Sequence, residues 1–342
     1  MRKYIKLLEA GLCITILLTC HVVFAGNDPD VEKTKTYTKS YPLSGNDKVS
    51  VTNQFGELKI NTWTKNEVKV DVTIISRSST DQRAQEMLDR ISIEDGKNSD
   101  GVFFKTMMKK GNNNSDENKN KDENKNKDEN KNYKDEKMEI NYQVYMPATN
   151  PLNANNQFGT TIVPDFSGLL ELTSKFGNLT AGKLSNARKV NVEFGTALIE
   201  SLNSGDLVVK FSRAIINKLD GSVNATFEHC SGIKLGIQNS TRNLTIKNKF
   251  TRLYLDVNRD LSANFDINTN FGEFSNKSGF DIKEENTNDK KRGPVFKHHY
   301  SGKAGSGNIA MKIQSEFGNI LLGHDLTMDL NESKKDKKST KI

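Results

Sequence analysis

The sequence predicts an all-β protein, and more narrowly a single-stranded parallel β-helix, or β-solenoid, of about 17 to 20 residues per coil with an antiparallel β region at its N-terminal side and one short helix. Three observations carry this. Phe158, Phe176, Phe194, Phe211, Phe227, Phe250 and Phe271 follow one another at steps of 16 to 23 residues, most with a glycine behind them. Positions four and two before the Phe hold Val190 and Val192, Leu207 and Val209, Val223 and Ala225, the period-two pattern of a strand with one buried face. Eight residues after five of these phenylalanines stand Phe166, Leu184, Leu202, Leu219 and Leu235. A catalytic motif is needed once, whereas a unit that cannot bury its own apolar face recurs.

Each unit reads as strand, corner, strand. Leu179 and Ala181, Ala197 and Ile199, Ala214 and Ile216, Leu253 and Leu255 continue the alternation after the Phe, so Gly159, Gly177, Gly195 and Gly272 mark a change of direction. The Phe, ending an inward-alternating strand, is expected in the core. A phosphate-cradling glycine loop is the other reading of these glycines, but it needs clustered glycines leading into a helix, and no helical period follows. The unit also occurs at the two flanks, as NQFGELKINTW (Phe55, Leu58, Ile60, Trp63) and SEFGNILLGHDL (Phe317, Ile320, Leu322).

Residues 1–25 read as a secretory signal: Arg2, Lys3 and Lys6 precede an apolar run that ends on Val23, Phe24 and Ala25. Lipidation at Cys20 fits less well, because Thr19 precedes it and an apolar stretch follows. No later run is long enough for a membrane-spanning helix. Residues 26–108 read as the N-terminal β region, with TYTKSYPL, KVSVTNQF, ELKINTW and EVKVDVTIISR as strands. STDQRAQEMLDRI carries a helix over about 80–90 with a capping box from Ser79 to Gln82.

Residues 109–137 form a Lys-, Asn- and Asp-rich insert in which DENKNK repeats, too polar to offset its ordering entropy and so expected to be a disordered hairpin loop between the strands GVFFKTM and MEINYQVYMP. Each pair of acids is followed by Lys, and the spacing is not that of a calcium loop. Residues 138–328 make the solenoid, interrupted by a loop excursion at 284–306, and 329–342 a basic, disordered tail.

Composition excludes several chemistries. The net charge of +7 collects in the leader, the insert and the tail, so the folded part is close to neutral and lacks the basic face of a nucleic-acid binder. Cys230 is the one cysteine beyond the leader, which rules out a disulfide framework; it reads as a small buried core residue beside an outward His229, on opposite faces of a strand and unsuited to a Cys–His dyad. His298 and His299 stand on the excursion without ligand-spaced partners. No catalytic, cofactor-binding or metal-binding residue is assigned.

With these residues in view, the chain resembles the exported bacterial candidate adhesins with a β-strand-repeat domain of unknown function. The resemblance spans about Tyr37 to Leu326 and rests on the leader, NQFGELKINTW, YQVYMP running into NQFGTTIV, the FG units, and GKAGSGNIAMKIQSEFGNILL. It implies a β-helix-like fold and a periplasmic, surface or extracellular location. The expected role is a non-enzymatic, adhesin-like binding or scaffolding module that meets a cell-surface, envelope or glycan component through an outward face rich in Asn, Ser, Thr and Lys. Polysaccharide lyases and hydrolases also use β-helices, and Glu193, Glu200, Asp206, Asp220 and Glu228 are the outward carboxylates such chemistry would draw on; their offsets build no single row. A regulatory envelope-stress component is a third reading.

Overall fold

The computed structural model describes residues 31–109, 136–285 and 296–330. The expected signal segment, almost all of the Lys-rich insert, the middle of the 284–306 excursion and nearly the whole basic tail lie outside the described residues. The described chain is all-β with one helix.

The strands follow in chain order. β1 (Val31–Pro42), β2 (Lys48–Gln54), β3 (Leu58–Trp63) and β4 (Glu67–Ser78) precede the helix α1 (Asp81–Asp89). Then come β5 (Ile91–Asn98), β6 (Gly101–Met108), β7 (Lys137–Pro147), β8 (Leu152–Gln157), β9 (Thr161–Val163), β10 (Leu170–Lys175), β11 (Asn178–Leu184) and β12 (Ala187–Glu193). Three long bent strands, β13 (Thr196–Lys210), β14 (Arg213–Glu228) and β15 (Gly232–Lys249), lead into β16 (Leu253–Val257), β17 (Ala263–Asn270) and β18 (Phe274–Asn276). β19 (Asp281–Glu284), β20 (Lys297–Ala304), β21 (Ile309–Glu316) and β22 (Ile320–Gly323) complete the chain. All join one mixed sheet of 22 strands that curls nearly closed, barrel-like, around its apolar interior.

Most of the sheet pairs in parallel, each unit lying on the next. One row runs β8–β10–β12 and then through the second halves of β13, β14 and β15; the other runs β9–β11 and through the first halves of β13, β14 and β15 to β16. The in-register column runs Leu172 beside Val190, Val190 beside Leu207, Leu207 beside Ala225 and Ala225 beside Ile246, all buried. The alternation anticipates Val190 with Leu207, but it sets Val223 next in that column and Ala225 beside Val209, whereas Val223 lies beside Gly205 and Phe227 beside Val209. Adjacent parallel strands lie about 4.8 Å apart, so identical offsets stack into continuous internal rows.

The N-terminal region departs from the expected antiparallel unit. Antiparallel pairs β1–β4, β4–β7 and β5–β6 are present, yet β2 and β3 pair in parallel with β8 and β9 and so belong to the repeat. On their other side β2 takes β6 and β3 takes β7, again in parallel. The strands flanking the Lys-rich insert therefore occupy the two rows of one unit and form no hairpin with each other. The helix is capped by Thr80, whose Oγ1 accepts from the Arg83 N–H at 3.3 Å, one residue later than Ser79, and it buries Ala84, Met87 and Leu88.

At the C-terminal side the order in space leaves the order in sequence. β21 pairs in parallel with both β15 and β17, and β22 with both β16 and β18. The last repeat is thus threaded between the two that precede it. The expected excursion contains a strand, β20, antiparallel to β17 and β19, which carries His298 and His299 into the sheet.

Candidate binding face

The repeated phenylalanine is outside, contrary to the expectation from the alternation. Phe158, Phe176, Phe194, Phe211, Phe250, Phe271, Phe296 and Phe317 are 45 to 50% exposed, and Phe227 alone of the proposed column is fully buried. The backbone explains the reversal. Phe55, Phe158, Phe176, Phe194, Phe211, His229, Phe250, Phe271 and Phe317 all take the left-handed conformation, with φ between 49° and 64°. A left-handed residue breaks the strand's alternation, so the side chain that parity would send inward points to solvent. His229, and not Phe227, holds this position in its unit; the outward orientation expected of His229 is what the structure has.

The corner is built from repeated local bonds. All of these residues but Phe271 donate the N–H to the carbonyl one position before the corner of the next unit, among them Phe158 to Lys175 at 2.9 Å, Phe194 to Lys210 at 3.1 Å, Phe250 to Glu316 at 3.0 Å and Phe317 to Asn270 at 2.8 Å, while Phe271 donates to Phe296 at 2.9 Å. The left-handed conformation costs about 1–2 kcal/mol for a non-glycine residue, and ring stacking offsets part of that. The rings form a ladder in the order Phe55, Phe158, Phe176, Phe194, Phe211, His229, Phe250, Phe317, Phe271. Centroids are 4.8 to 5.2 Å apart and planes agree within 9°. Phe296 adds a tenth ring, 4.7 Å from Phe271.

The glycine after the Phe serves close approach. A Cβ built on Gly177 falls on the carbonyl oxygen of Gly159, and one on Gly195 falls on that of Gly177. Where the neighbouring geometry leaves room, a polar side chain replaces hydrogen and backbone contact alike. Ser212 Oγ accepts from the Gly195 N–H at 3.1 Å, and Thr251 Oγ1 accepts from the Cys230 N–H at 2.9 Å. Cys230 occupies this glycine offset. It is buried as expected, although one column away from Ala197 and Ala214, whose row is continued by Ile233. Its Sγ lies 3.2 Å from the Val209 carbonyl, and burial pushes the thiol pKa up, so it is held protonated and unreactive. The column eight residues on closes with Ile237 beside Leu219, in place of Leu235.

Two rows flank the ladder. Two residues before the corner, facing in, the row reads Asn53, Asn156, Ser174, Val192, Val209, Phe227, Asn248, Ser315 and Thr269 in spatial order, all buried. Its polar members bond along the stack, Asn53 Nδ2 to Asn156 Oδ1 at 3.1 Å and Asn248 Nδ2 to Ser315 Oγ at 2.9 Å, and Ser174 Oγ accepts from Thr161 Oγ1 of the facing strand β9 at 3.3 Å. One residue before the corner, facing out, the row reads Gln54, Gln157, Lys175, Glu193, Lys210, Glu228, Lys249, Glu316 and Asn270. Lys175 meets Glu193 at 3.1 Å, Lys210 meets Glu228 at 2.8 Å, and Lys249 meets Glu316 at 3.1 Å.

The carboxylates considered for catalysis are engaged by neighbours. Glu193 accepts from the Asn191 amide at 2.9 Å and from Lys175, which together hold its carboxyl below the usual range. Glu200 faces Asn217 and Lys218, and Asp206 accepts from Asn224 at 3.2 Å. Asp220 accepts from Ser201 at 2.9 Å and from Ser240, and it lines a cleft of about 620 Å³ with Lys183 and Arg242 at its sides. A second cleft of about 280 Å³ contains Asp256, Asp260 and His324; both His324 ring nitrogens reach backbone carbonyls, of Val257 at 2.6 Å and Ser278 at 2.9 Å. His299 lies between Asp266 at 3.1 Å and Glu285 at 2.9 Å, and His298 is 2.6 Å from Glu284. Among the described residues no three His, Cys, Asp or Glu side chains are grouped to hold a metal ion, and no helix is long and apolar enough to cross a membrane.

The comparisons with known proteins are sparse. No family model matches the chain, and no curated protein matches it. Among solved structures it is similar to a candidate cell adhesion protein from Clostridium sporogenes, with 12% identity, a TM-score of 0.27, and coverage of 86% of this chain and 100% of that one. It is also similar to a candidate adhesin from Bacteroides fragilis, with 11% identity, a TM-score of 0.37, and coverage of 84% and 97%.

Proposed function

We propose that this is an exported, non-enzymatic module of the cell envelope or surface that acts as a β-solenoid scaffold and binds, in an adhesin-like way, through one long face. The observation that supports it is the aromatic ladder: eight half-open phenylalanine rings in a single file, beside a row of charges that largely satisfy one another. A file of ring edges, each repeated at strand spacing, adds many weak contacts on a stiff support and needs no reactive group. The working face is therefore the ladder, in place of the Asn-, Ser-, Thr- and Lys-rich surface expected from composition. The carboxylates lend little to the hydrolase or lyase alternative, since each already has a donor or a cation at hand.

The test uses the chain from Gly26 onward. It is expected to be retained on an isolated envelope or cell-surface fraction, and replacing Phe176, Phe194 and Phe211 together by Asn, which tolerates the left-handed corner, should weaken retention about tenfold or more. Retention that ignores those changes removes the ladder as the working face. Turnover of an envelope polysaccharide, abolished by Asp220→Asn, would replace the binding reading with the enzymatic one.

A further inference from the structure

We infer that the partner of the aromatic ladder is a second copy of this chain, docked antiparallel about a two-fold axis that passes between the Lys210 and Glu228 positions. This rests on the reading of the ladder as a binding face and names its occupant: copies of the chain already present in the envelope or surface fraction are then what retains it.

The charge row carries the argument. In spatial order it is Lys175, Glu193, Lys210, Glu228, Lys249, Glu316, a strict alternation whose last step comes from the threading of the last repeat, since Glu316 lies beside Lys249 only because β21 enters between β15 and β17. Turned end for end, the row is its own complement. Lys210 of one copy faces Glu228 of the other, Glu193 faces Lys249, and Lys175 faces Glu316. The axis that pairs the charges also bisects the ladder: five rings, Phe55 to Phe211, lie on one side and five, His229 to Phe296, on the other. An isologous contact demands this self-complementarity of a single patch.

Size and charge select the same occupant. With about half of the 150–250 Å² of each Phe open on eight rings, the file offers roughly 600–1,000 Å² of apolar surface, near the 800 Å² or so per partner of a standard interface and above the largest patch of a typical monomer. The flanking row has no net charge, so it attracts neither an acidic nor a basic partner as such. What it complements is an opposite alternation at the same strand spacing, and this face supplies one.

Sedimentation and light scattering over a concentration series read the outcome. The chain from Gly26 onward is expected to dimerise, and the triple change of Phe176, Phe194 and Phe211 to Asn to give monomer. The decisive pair of variants keeps the rings. Lys175→Glu with Glu193→Lys sets like charges against Glu316 and Lys249 of the other copy and should weaken the dimer about tenfold or more. Adding Lys249→Glu and Glu316→Lys restores every contact between copies while leaving more like-charge neighbours within each chain, and should return the affinity. A chain that stays monomeric, or a dimer indifferent to the first swap or not recovered by the second, overturns the inference. If the chain is monomeric yet the Phe changes still abolish retention on the envelope fraction, the two-fold partner is wrong and the binding face stands; if neither property moves, both fall.

Discussion

Phe227 and Phe194 stand two units apart in the same repeat and differ in position by two residues relative to the corner. Phe227 lies in the inward row between Val209 and Asn248 and has no exposed surface, whereas Phe194 is the corner itself, 45% exposed and stacked between Phe176 and Phe211 at 4.8 Å on each side. One is held by being surrounded, the other by having a ring above and a ring below. The difference lies in backbone geometry: an extended residue obeys the alternation of the strand, and a left-handed one escapes it.

That contrast is open to direct attack. The largest effect is expected from Phe227→Ala, a large-to-small change in a closed interior, at about 3–5 kcal/mol in denaturant unfolding. Phe194→Ala should cost less, about 1–3 kcal/mol, from two stacking contacts of about 0.5–1.5 kcal/mol each. Phe194→Asn should melt above Phe194→Ala because Asn accepts the left-handed corner at lower cost. Equal losses for the two alanine variants would mean that the outer file behaves as core.

The smallest effect concerns the charge row. Glu193, half-covered and bonded by Asn191 and Lys175, has a folded pKa below its unfolded one. Its contribution is then complete above the ordinary carboxylate range and is lost as the pH falls through the depressed folded value. Glu193→Gln should lower stability at neutral pH by a few tenths to about 1 kcal/mol, and the gap from the wild type should close as the pH falls below the ordinary carboxylate range. A gap that persists in acid would assign the effect to shape and not to charge.

Much of the fold was legible in the residues. The repeat, its two strands and the inward pairing of Val190 with Leu207 follow from spacing; Ala225 and Cys230 are buried as expected, but each in a row next to the one the spacing from Phe227 gives. What spacing could not give is the sense of a side chain at a left-handed residue, because period-two parity holds only along extended backbone. The alignment on residue type also took Phe227 for the corner, while the even step from Phe211 points to His229, a planar ring able to stack. The Asn two residues before Phe55, Phe158 and Phe250 was a visible mark of an inward polar row. The threading of the last unit, which sets Glu316 beside Lys249, joins strands far apart in the chain and leaves no mark in the repeat spacing. Nothing in the sequence marks the ladder as a face, since its apolar residues look like core.

The threading of β21 and β22 between earlier strands divides the molecule into two kinds of closure. From Phe55 to Phe250 most neighbouring units are close in sequence, so the stack can grow as a zipper with each step closing a short loop. The slot that receives β21 joins Asn243 to Ala310 on one side and Asn264 to Ala310 on the other, and neither contact can form until the chain between has been made and folded back. Loop entropy rises only slowly with length, but contacts of long sequence separation slow folding, and until they form β15 and β17 present two unpaired edges able to capture a foreign strand. The vulnerable moment for this protein is therefore late in its folding and local to one gap, and whatever shields that gap governs how much of the chain reaches the native state.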